Sequence, residues 1–380
     1  MRKTINIGDL GTIITGKTPP TTNKNYYGDY AVFIKPTDIS EQSKYTYETE
    51  EMYSKLAAEK YESSLIPKGA ICVPCIGTIG TKMTMTPCDC YTNQSINSII
   101  CNENYDNEYV YYLIKNFLPG LKAYNLGTAS GREYVSKSNF EKIELVAEQD
   151  KEIQKKIGVI LSRYDSLIEN YQKQIKLLEE AAQRLYKKWF IDLHFPRHEN
   201  TNIIDGVPEG WEKKKVGDIT PIITGKKDAN FGTPDGEYPF FTCSQEPIKA
   251  PSFSFDCAAV LLAGNGDFNV KLYRGRFEAY QRTYVLSPYI DSHLYLLFYT
   301  ISANMTKLAA GSSGSTIKFL TKGMIDGINL NVPNDEILRS FNKKVEPIQS
   351  SRESLQSQLR LLTEARDRLL PKLMSGEITI

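Results

Sequence analysis

The 380-residue chain has no run of eighteen or more apolar residues, and its opening, MRKTINIGDL, carries charge with no hydrophobic stretch behind it. That argues against a helical membrane span, and no signal peptide is expected. Neither sign of charge is in excess: 46 Lys and Arg stand against 45 Asp and Glu. The balance is also local, with 15 basic to 16 acidic residues over 1–146, 9 to 8 over 147–196, 14 to 14 over 197–333 and 8 to 7 over 334–380. A simple polycationic coat for nucleic acid or membrane is therefore disfavoured. A chain of this kind that met DNA would grip weakly alone and borrow phosphate contacts from partners. Cysteines number only seven, an odd count, as a reduced cytoplasmic protein allows. There are three histidines, His194, His198 and His293, and no P-loop, no G-x-G-x-x-G after a strand and no Ser/His/Asp group with a nucleophile elbow. No catalytic residue is assigned, and the chain is expected not to be an enzyme.

What the sequence does have is a repeat, the feature to seek first because it dictates architecture. IGDLGTIITGK (Ile7 to Lys17) returns as VGDITPIITGK (Val216 to Lys226), an offset of 216 − 7 = 209. YVSKSNFEKIEL (Tyr134 to Leu145) returns as FLTKGMIDGINL at 319 − 134 = 185, and QIKLLEEAAQRL (Gln174 to Leu185) as QLRLLTEARDRL at 358 − 174 = 184. The second copy is thus shorter by 209 − 185 = 24 residues between its opening motif and its later ones. Each half is a changeable domain followed by a standard element.

The standard element has a coiled-coil period. Ile157, Leu161, Tyr164, Ile168, Tyr171, Ile175, Leu178, Ala182, Leu185 and Trp189 step by fours and threes. Adding 184 gives Phe341, Val345, Ile348, Arg352, Leu355, Leu359, Leu362, Arg366, Leu369 and Leu373, apolar except for the two arginines, which are read as register devices. Helices of about 40 residues, roughly 60 Å long, need a partner for such a stripe. A second copy of the protein would serve. Pairing the two helices of one chain antiparallel serves better and makes a spacer with a variable domain at each end. The variable domains hold short β-branched runs such as GAICVPCIG, SINSIIC and AAVLLAG beside helical stretches such as EYVYYLIKNFL, so the fold class is α+β.

Candidate DNA contacts fall in parallel places. The first half carries Lys17, Lys24, Asn25, Tyr26, Tyr27, Lys35 and Arg132, the second Lys226, Lys227, Asn230, Arg274, Arg276, Arg282 and Lys318. Such side chains read base edges and grip phosphates, although lysines on solvated loops are common and the two tyrosines suit a core equally. The glycine stretches GTASGRE (Gly127 to Glu133) and GSSGST (Gly311 to Thr316) could cradle phosphodiester oxygens through backbone N–H groups. Cys72-x-x-Cys75 and Cys88-x-Cys90 offer four soft ligands, but the C-x-C spacing is atypical for structural zinc and the second half has no such set. Cys72 and Cys75 fall in a run resembling a buried strand and are read as small hydrophobes, and no metal is assigned.

These motifs together resemble the specificity subunit of a type I restriction-modification system: the IITGK openings, IGTIG (Ile76 to Gly80), the Gln94 and Gln281 segments, GTASG leading to YVSKSNFEKIEL, the long helix EQDKEIQKKIGV…KKWFID, and the chain end RDRLLPKLMSGEI. The resemblance spans essentially the whole chain. It departs at AGNGDFNV (Ala263 to Val270), which replaces IGTIG, and at the amino terminus, which lacks a counterpart of VPEGW (Val207 to Trp211). It implies target-recognition domains at 1–146 and 197–333, separated by conserved spacer helices at 147–196 and 334–380 that pair as an antiparallel coiled coil with internal pseudo-two-fold symmetry. It further implies double-stranded DNA and two methyltransferase subunits as partners, with two restriction translocase/nuclease subunits where cleavage occurs. S-adenosylmethionine, ATP and Mg²⁺ would belong to those partners and no cofactor to this chain. Because the two variable domains differ, the DNA site should be asymmetric. A methylation-only system and a coiled-coil scaffold without DNA contact are the alternatives.

Overall fold

A computed structural model describes residues 2–127, 133–312 and 318–380. In the first half run strands β1 (Arg2–Asn6), β2 (Gly11–Thr15), β3 (Ala31–Ile34), β4 (Ile71–Pro74), β5 (Tyr91–Thr92), β6 (Ile96–Cys101) and β7 (Glu144–Glu148), with helix α1 (Asn107–Phe117) before β7 and helix α2 (Lys151–Tyr186) after it. The second half has β8 (Glu212–Lys215), β9 (Ile223–Thr224), β10 (Tyr238–Phe241), β11 (Phe255–Ala263), β12 (Val270–Ala279), β13 (Thr283–Leu286) and β14 (Asn329–Val332), with α3 (Leu294–Gly311) after β13 and α4 (Asp335–Ser375) after β14. The mixture of helix and sheet is α+β. Contacts divide the chain into two compact units, Met1–Lys173 with Leu355–Ile380, and Gln174–Ser354. Each unit therefore owns part of both long helices.

The main strand pairings of the two units correspond. β1 pairs antiparallel with β7 as β8 does with β14. The antiparallel order β2–β6–β4 corresponds to β9–β13–β11. The parallel contact of β3 with β5 corresponds to that of β10 with β12. Unit 1 keeps two separate four-stranded sheets, whereas unit 2 joins its strands into one sheet of six.

The first repeated motif is structural from end to end. Ile7, Leu10, Val216 and Ile219 are buried. Asp9 accepts from the Asn6 N–H at 2.8 Å and Asp218 from the Lys215 N–H at 2.7 Å, a side chain satisfying a backbone donor at the start of a turn. A Cβ on Gly16 would lie 2.1 Å from the Thr92 carbonyl oxygen, and one on Gly225 1.9 Å from that of Ala279. Only glycine allows that approach.

The helices also start alike. Asp150 accepts from the Glu152 N–H at 2.9 Å and Asn334, 184 residues on, from the Ile337 N–H at 3.0 Å. Along the expected seam Ile157, Leu161, Ile168, Trp189, Phe341, Val345 and Leu373 are buried. Tyr164, Tyr171, Ile175, Leu178, Leu185, Ile348, Leu355, Leu359, Leu362 and Leu369 are half-buried. In unit 1 Ile157 and Leu161 share a core with Leu370, Leu373 and Met374, and Asp165 meets Arg366 at 2.6 Å. In unit 2 Glu179 meets Arg352 at 3.4 Å, and the Trp189 ring lies 5.9 Å from that of Phe341. Within each unit, moving forward along α2 is moving backward along α4, so the helices run antiparallel. Both seam arginines find carboxylates of the other helix. No helix among the described residues is long and apolar enough to cross a membrane.

Candidate nucleic-acid interface

The repeated Gly-Lys step leaves its strand in the same way twice. In unit 1 the Gly16 N–H donates to the Ile96 carbonyl at 3.1 Å and the Lys17 N–H to that of Thr92 at 2.9 Å, which locks Lys17 beside the turn carrying Gln94. The Thr18 hydroxyl donates to the Gln94 side chain. The loop after β4 joins them, with the Cys75 N–H donating to Ser95 at 2.7 Å and the Val135 N–H to Cys75 at 2.9 Å. These four chain segments meet at one end of the β2–β6–β4 sheet. In unit 2 the Gly225 N–H donates to Thr283 at 3.1 Å, the Gln281 N–H to Lys227 at 2.9 Å, the Gly264 N–H to Arg282 at 2.8 Å and the Gly266 N–H to Lys318 at 3.3 Å. Lys226, Arg282 and Lys318 are exposed there, and the Lys227 amine sits 4.3 Å over the Phe231 ring. One loop cluster thus gathers four of the expected basic residues.

Other expected residues lie apart from it. Lys24 and Asn25 are exposed on a short turn in the lobe around β3, where Tyr26 and Tyr27 are half-buried. The Tyr27 hydroxyl donates to Pro19 O at 2.9 Å, and the Lys60 amine lies 4.6 Å over the Tyr26 ring. Both tyrosines build that lobe. Lys17 links it to the loop cluster, since its carbonyl accepts from the Tyr53 hydroxyl at 2.6 Å. Lys35 is clasped by Glu50 at 2.7 Å and Glu51 at 3.2 Å. Burial alone would lower its amine, but the two carboxylates hold it above the ordinary lysine value. Arg274 lies 3.6 Å from Glu346 and over the Tyr295 ring, and Arg276 lies 3.1 Å from Asp256 and over Phe253, so both are engaged within unit 2. Asn230 is exposed in the turn after Lys227. Arg132, with most of GTASGRE and GSSGST, lies outside the described residues.

Lys122 belongs to the first cluster and was missed by sequence reasoning. A Cβ on Gly80 would lie 3.0 Å from its Cγ, which places its stem against the IGTIG loop. Nothing local signals this, since the two are forty-two residues apart and only α1 and the turn after it bring them together. In unit 2 the Lys271 amine, lowered by burial, donates to the Ser244 carbonyl at 2.7 Å beside the same loops.

Cys72, Cys75 and Cys90 are placed as core. Cys72 Sγ lies 3.2 Å from Ser98 Oγ; burial pushes the thiols of Cys72 and Cys75 up to about 12 and raises that of Cys90, while Cys88 is exposed. Protonated thiols are poor metal ligands. No group of three or more His, Cys, Asp or Glu among the described residues is placed to hold a metal.

Comparison with known proteins fits this twofold plan. Residues 2–180 and again 208–351 match the family profile described as type I restriction modification DNA specificity domain. The chain belongs to that family. Such specificity subunits are the non-catalytic DNA-recognition members of type I systems, which makes recognition the chemistry to seek in these loops. Among relatives, the MjaIX specificity subunit of Methanocaldococcus jannaschii is 26% identical over 98% of this chain and 93% of its own length. The EcoDI specificity subunit of Escherichia coli is 36% identical over 177 residues, 46% of this chain, and the match spans 40% of that subunit's length. The crystal structure of a type I S subunit from M. genitalium superposes with a TM-score of 0.66 at 17% identity, covering 98% of this chain and 96% of the other, a likeness of fold.

Proposed function

We propose that this chain reads an asymmetric, bipartite double-stranded DNA site, one half with each recognition domain (residues 1–146 and 197–333), and docks two methyltransferase subunits on its long helices. The observation that carries this reading is the pair of equivalent loop clusters. The same strand ends deliver Lys17 beside Gln94 in one unit and Lys226 beside Gln281 and Arg282 in the other. The scaffold repeats while the side chains around it differ, so two different half-sites follow. Docking is supported by Leu177 and Leu361, 184 residues apart, which turn away from the seam with 63% and 57% of their surface exposed. Equivalent apolar spots on two helices suit two copies of one partner. S-adenosylmethionine chemistry lies with those subunits, and ATP and Mg²⁺ with restriction subunits where present. The setting is the cytoplasm.

The test is a gel shift at stated salt, with and without methyltransferase subunits, followed by methylation sequencing of a host expressing both. Weak binding by the chain alone, tight binding in the complex and one asymmetric bipartite motif are expected. Leu177→Glu with Leu361→Glu should abolish the tightening and leave the melting temperature of the chain unchanged. A palindromic motif, or equal affinity with and without partners, would overturn the reading.

A further inference from the structure

A chain that repeats one helix can pair its two copies with each other, or can pair like with like across two molecules, and the apolar seam by itself permits both. The ion pairs do not. In unit 1 Asp165 of α2 is buried, accepting from Arg366 of α4 at 2.6 Å and from the Tyr112 hydroxyl at 2.6 Å. In unit 2 Glu179 of α2 meets Arg352 of α4 at 3.4 Å. Both carboxylates belong to the first helix and both arginines to the second.

The repeat offset of 184 shows what like-with-like pairing would do. Arg366 corresponds to Ala182 (366 − 184) and Arg352 to Ile168 (352 − 184), while Asp165 corresponds to Gln349 (165 + 184) and Glu179 to Thr363 (179 + 184). Two first helices in the same register would set Asp165 against Ala182 and Glu179 against Ile168, leaving a buried acid and a half-exposed one with no arginine. Two second helices would set Arg366 against Gln349 and Arg352 against Thr363, leaving Arg352 without an acid and Arg366 with only Asp367 of its own helix, 2.8 Å away. The counterpart positions are themselves neutral and packed. Ala182 is fully buried, and Gln349, also buried, donates through its amide to the Tyr299 hydroxyl on α3, the helix that corresponds to α1. A cavity of about 220 Å³ lined by Gln349, Glu179 and Arg352 lies in unit 2, and the Gln349 Oε1 has no partner there.

We infer that Asp165–Arg366 and Glu179–Arg352 are a partner code that forces the first helix onto the second and rejects a second copy of itself. A buried ion pair adds little net stability over a well-packed apolar pair, yet removing one partner is strongly unfavourable. Such groups discriminate by penalising the wrong pairing, as polar and charged positions do in coiled coils. The inference rests on the helix pairing alone and stands whether or not the loops read DNA. An amino-terminal half on its own should therefore dimerise poorly through its helix, because that dimer would bury Asp165 twice without arginine.

The test starts from the full chain with a protease site in the stretch 198–202, where Glu199, Asn200 and Asn202 are exposed. Folded protein is cut, mixed with an isotopically heavy copy cut the same way, and warmed until light and heavy halves have exchanged. Native mass spectrometry then counts pairs. Amino-terminal with carboxyl-terminal halves should dominate, with like pairs about tenfold or more below their random share. Ala182→Arg, which offers Asp165 a partner in a second amino-terminal half, should raise those like pairs several-fold. Random proportions from the unsubstituted chain, or no rise with Ala182→Arg, would overturn the proposal. The uncut chain provides an independent check. Gln349→Asp with Arg366→Ala gives the second helix the first helix's side chains at both places and should lower Tm by about 10 °C. An unchanged Tm would refute the code even if the cut halves failed to stay folded.

Discussion

Unit 1 and unit 2 share their strand ends, their paired outer strands and their helix starts, yet they differ in what fills the middle. Unit 1 keeps β3 and β5 in a separate small sheet with its own aromatic cluster, where Phe33, Tyr53 and Tyr91 stack at 4.6 Å. Unit 2, shorter in this region, fuses the same strands into a six-stranded sheet closed by Phe241, Phe255, Tyr273 and Phe277. The repeated residues turn out to be those that fix geometry: a glycine where two backbones touch, an aspartate on a free N–H, a cap at a helix start. The differing residues sit on the loops between, where a changed side chain alters recognition without moving the frame.

The sharpest way to break the equivalence is at the helix node. In unit 1 Asp165 gathers Arg366, the Tyr112 hydroxyl and, at 3.9 Å, the Lys115 amine, which burial lowers and Asp165 partly restores. Asp165→Ala would leave the Tyr112 hydroxyl and the half-buried Lys115 amine without their acceptor and the buried Arg366 with only Asp367, at a cost of about 3–5 kcal/mol. Gln349→Ala in unit 2 frees one tyrosine hydroxyl and should cost only about 1–2 kcal/mol. Chemical denaturation of the two variants measures the gap, and equal losses would show that the nodes are not differently built.

A smaller effect separates the units by pH. All three histidines lie in unit 2, and His293 is buried at the start of α3 with no partner for Nδ1. Burial lowers its proton affinity, Lys214 lowers it further, and Asp335 opposes both. Once the pH drops below the ordinary imidazole value of 6.5, the unfolded chain takes up protons that the folded one refuses, so unit 2 loses stability as the pH falls through that range. Unit 1 has no histidine and should keep its stability over the same window. Thermal melts of the chain and of His293→Gln from pH 7.5 to 5 test this; the substitution should flatten the acid decline, and an unaltered slope would assign it elsewhere.

Much of this architecture was legible in the sequence because it is periodic or repeated. The 3.5-residue seam, the 184-residue offset and the Gly-Lys motif each follow from local spacing. Arg352 and Arg366 stood out as breaks in the seam, but not their partners, because Asp165 and Glu179 lie one position off the apolar stripe and are joined to the arginines only by antiparallel register. The candidate interface was half legible. Lys226, Lys227, Arg282 and Lys318 converge, whereas Arg274 and Arg276, expected as contacts alongside them, are drawn to Glu346 and Asp256 within their own unit. Composition cannot tell a paired arginine from a free one.

The gentlest comparison concerns Lys17 and Lys226. Both leave a glycine that only close backbone contact explains, and both are exposed. On the proposed reading, a lysine so placed would contact phosphate, which fixes position without reading bases. In the complex with methyltransferase subunits, Lys17→Ala and Lys226→Ala should therefore weaken binding uniformly across sequences, each reducing the slope of log K against log salt by about 1. Arg282→Ala, beside Lys226 on the turn that carries Gln281, should instead relax sequence preference in one half-site only, at about 1–3 kcal/mol of discrimination if it reaches a base edge. Salt titrations on a panel of sites distinguish these outcomes. A lysine substitution that changed one half-site and not the other would mean that the repeated motif reads sequence as well as holding the frame.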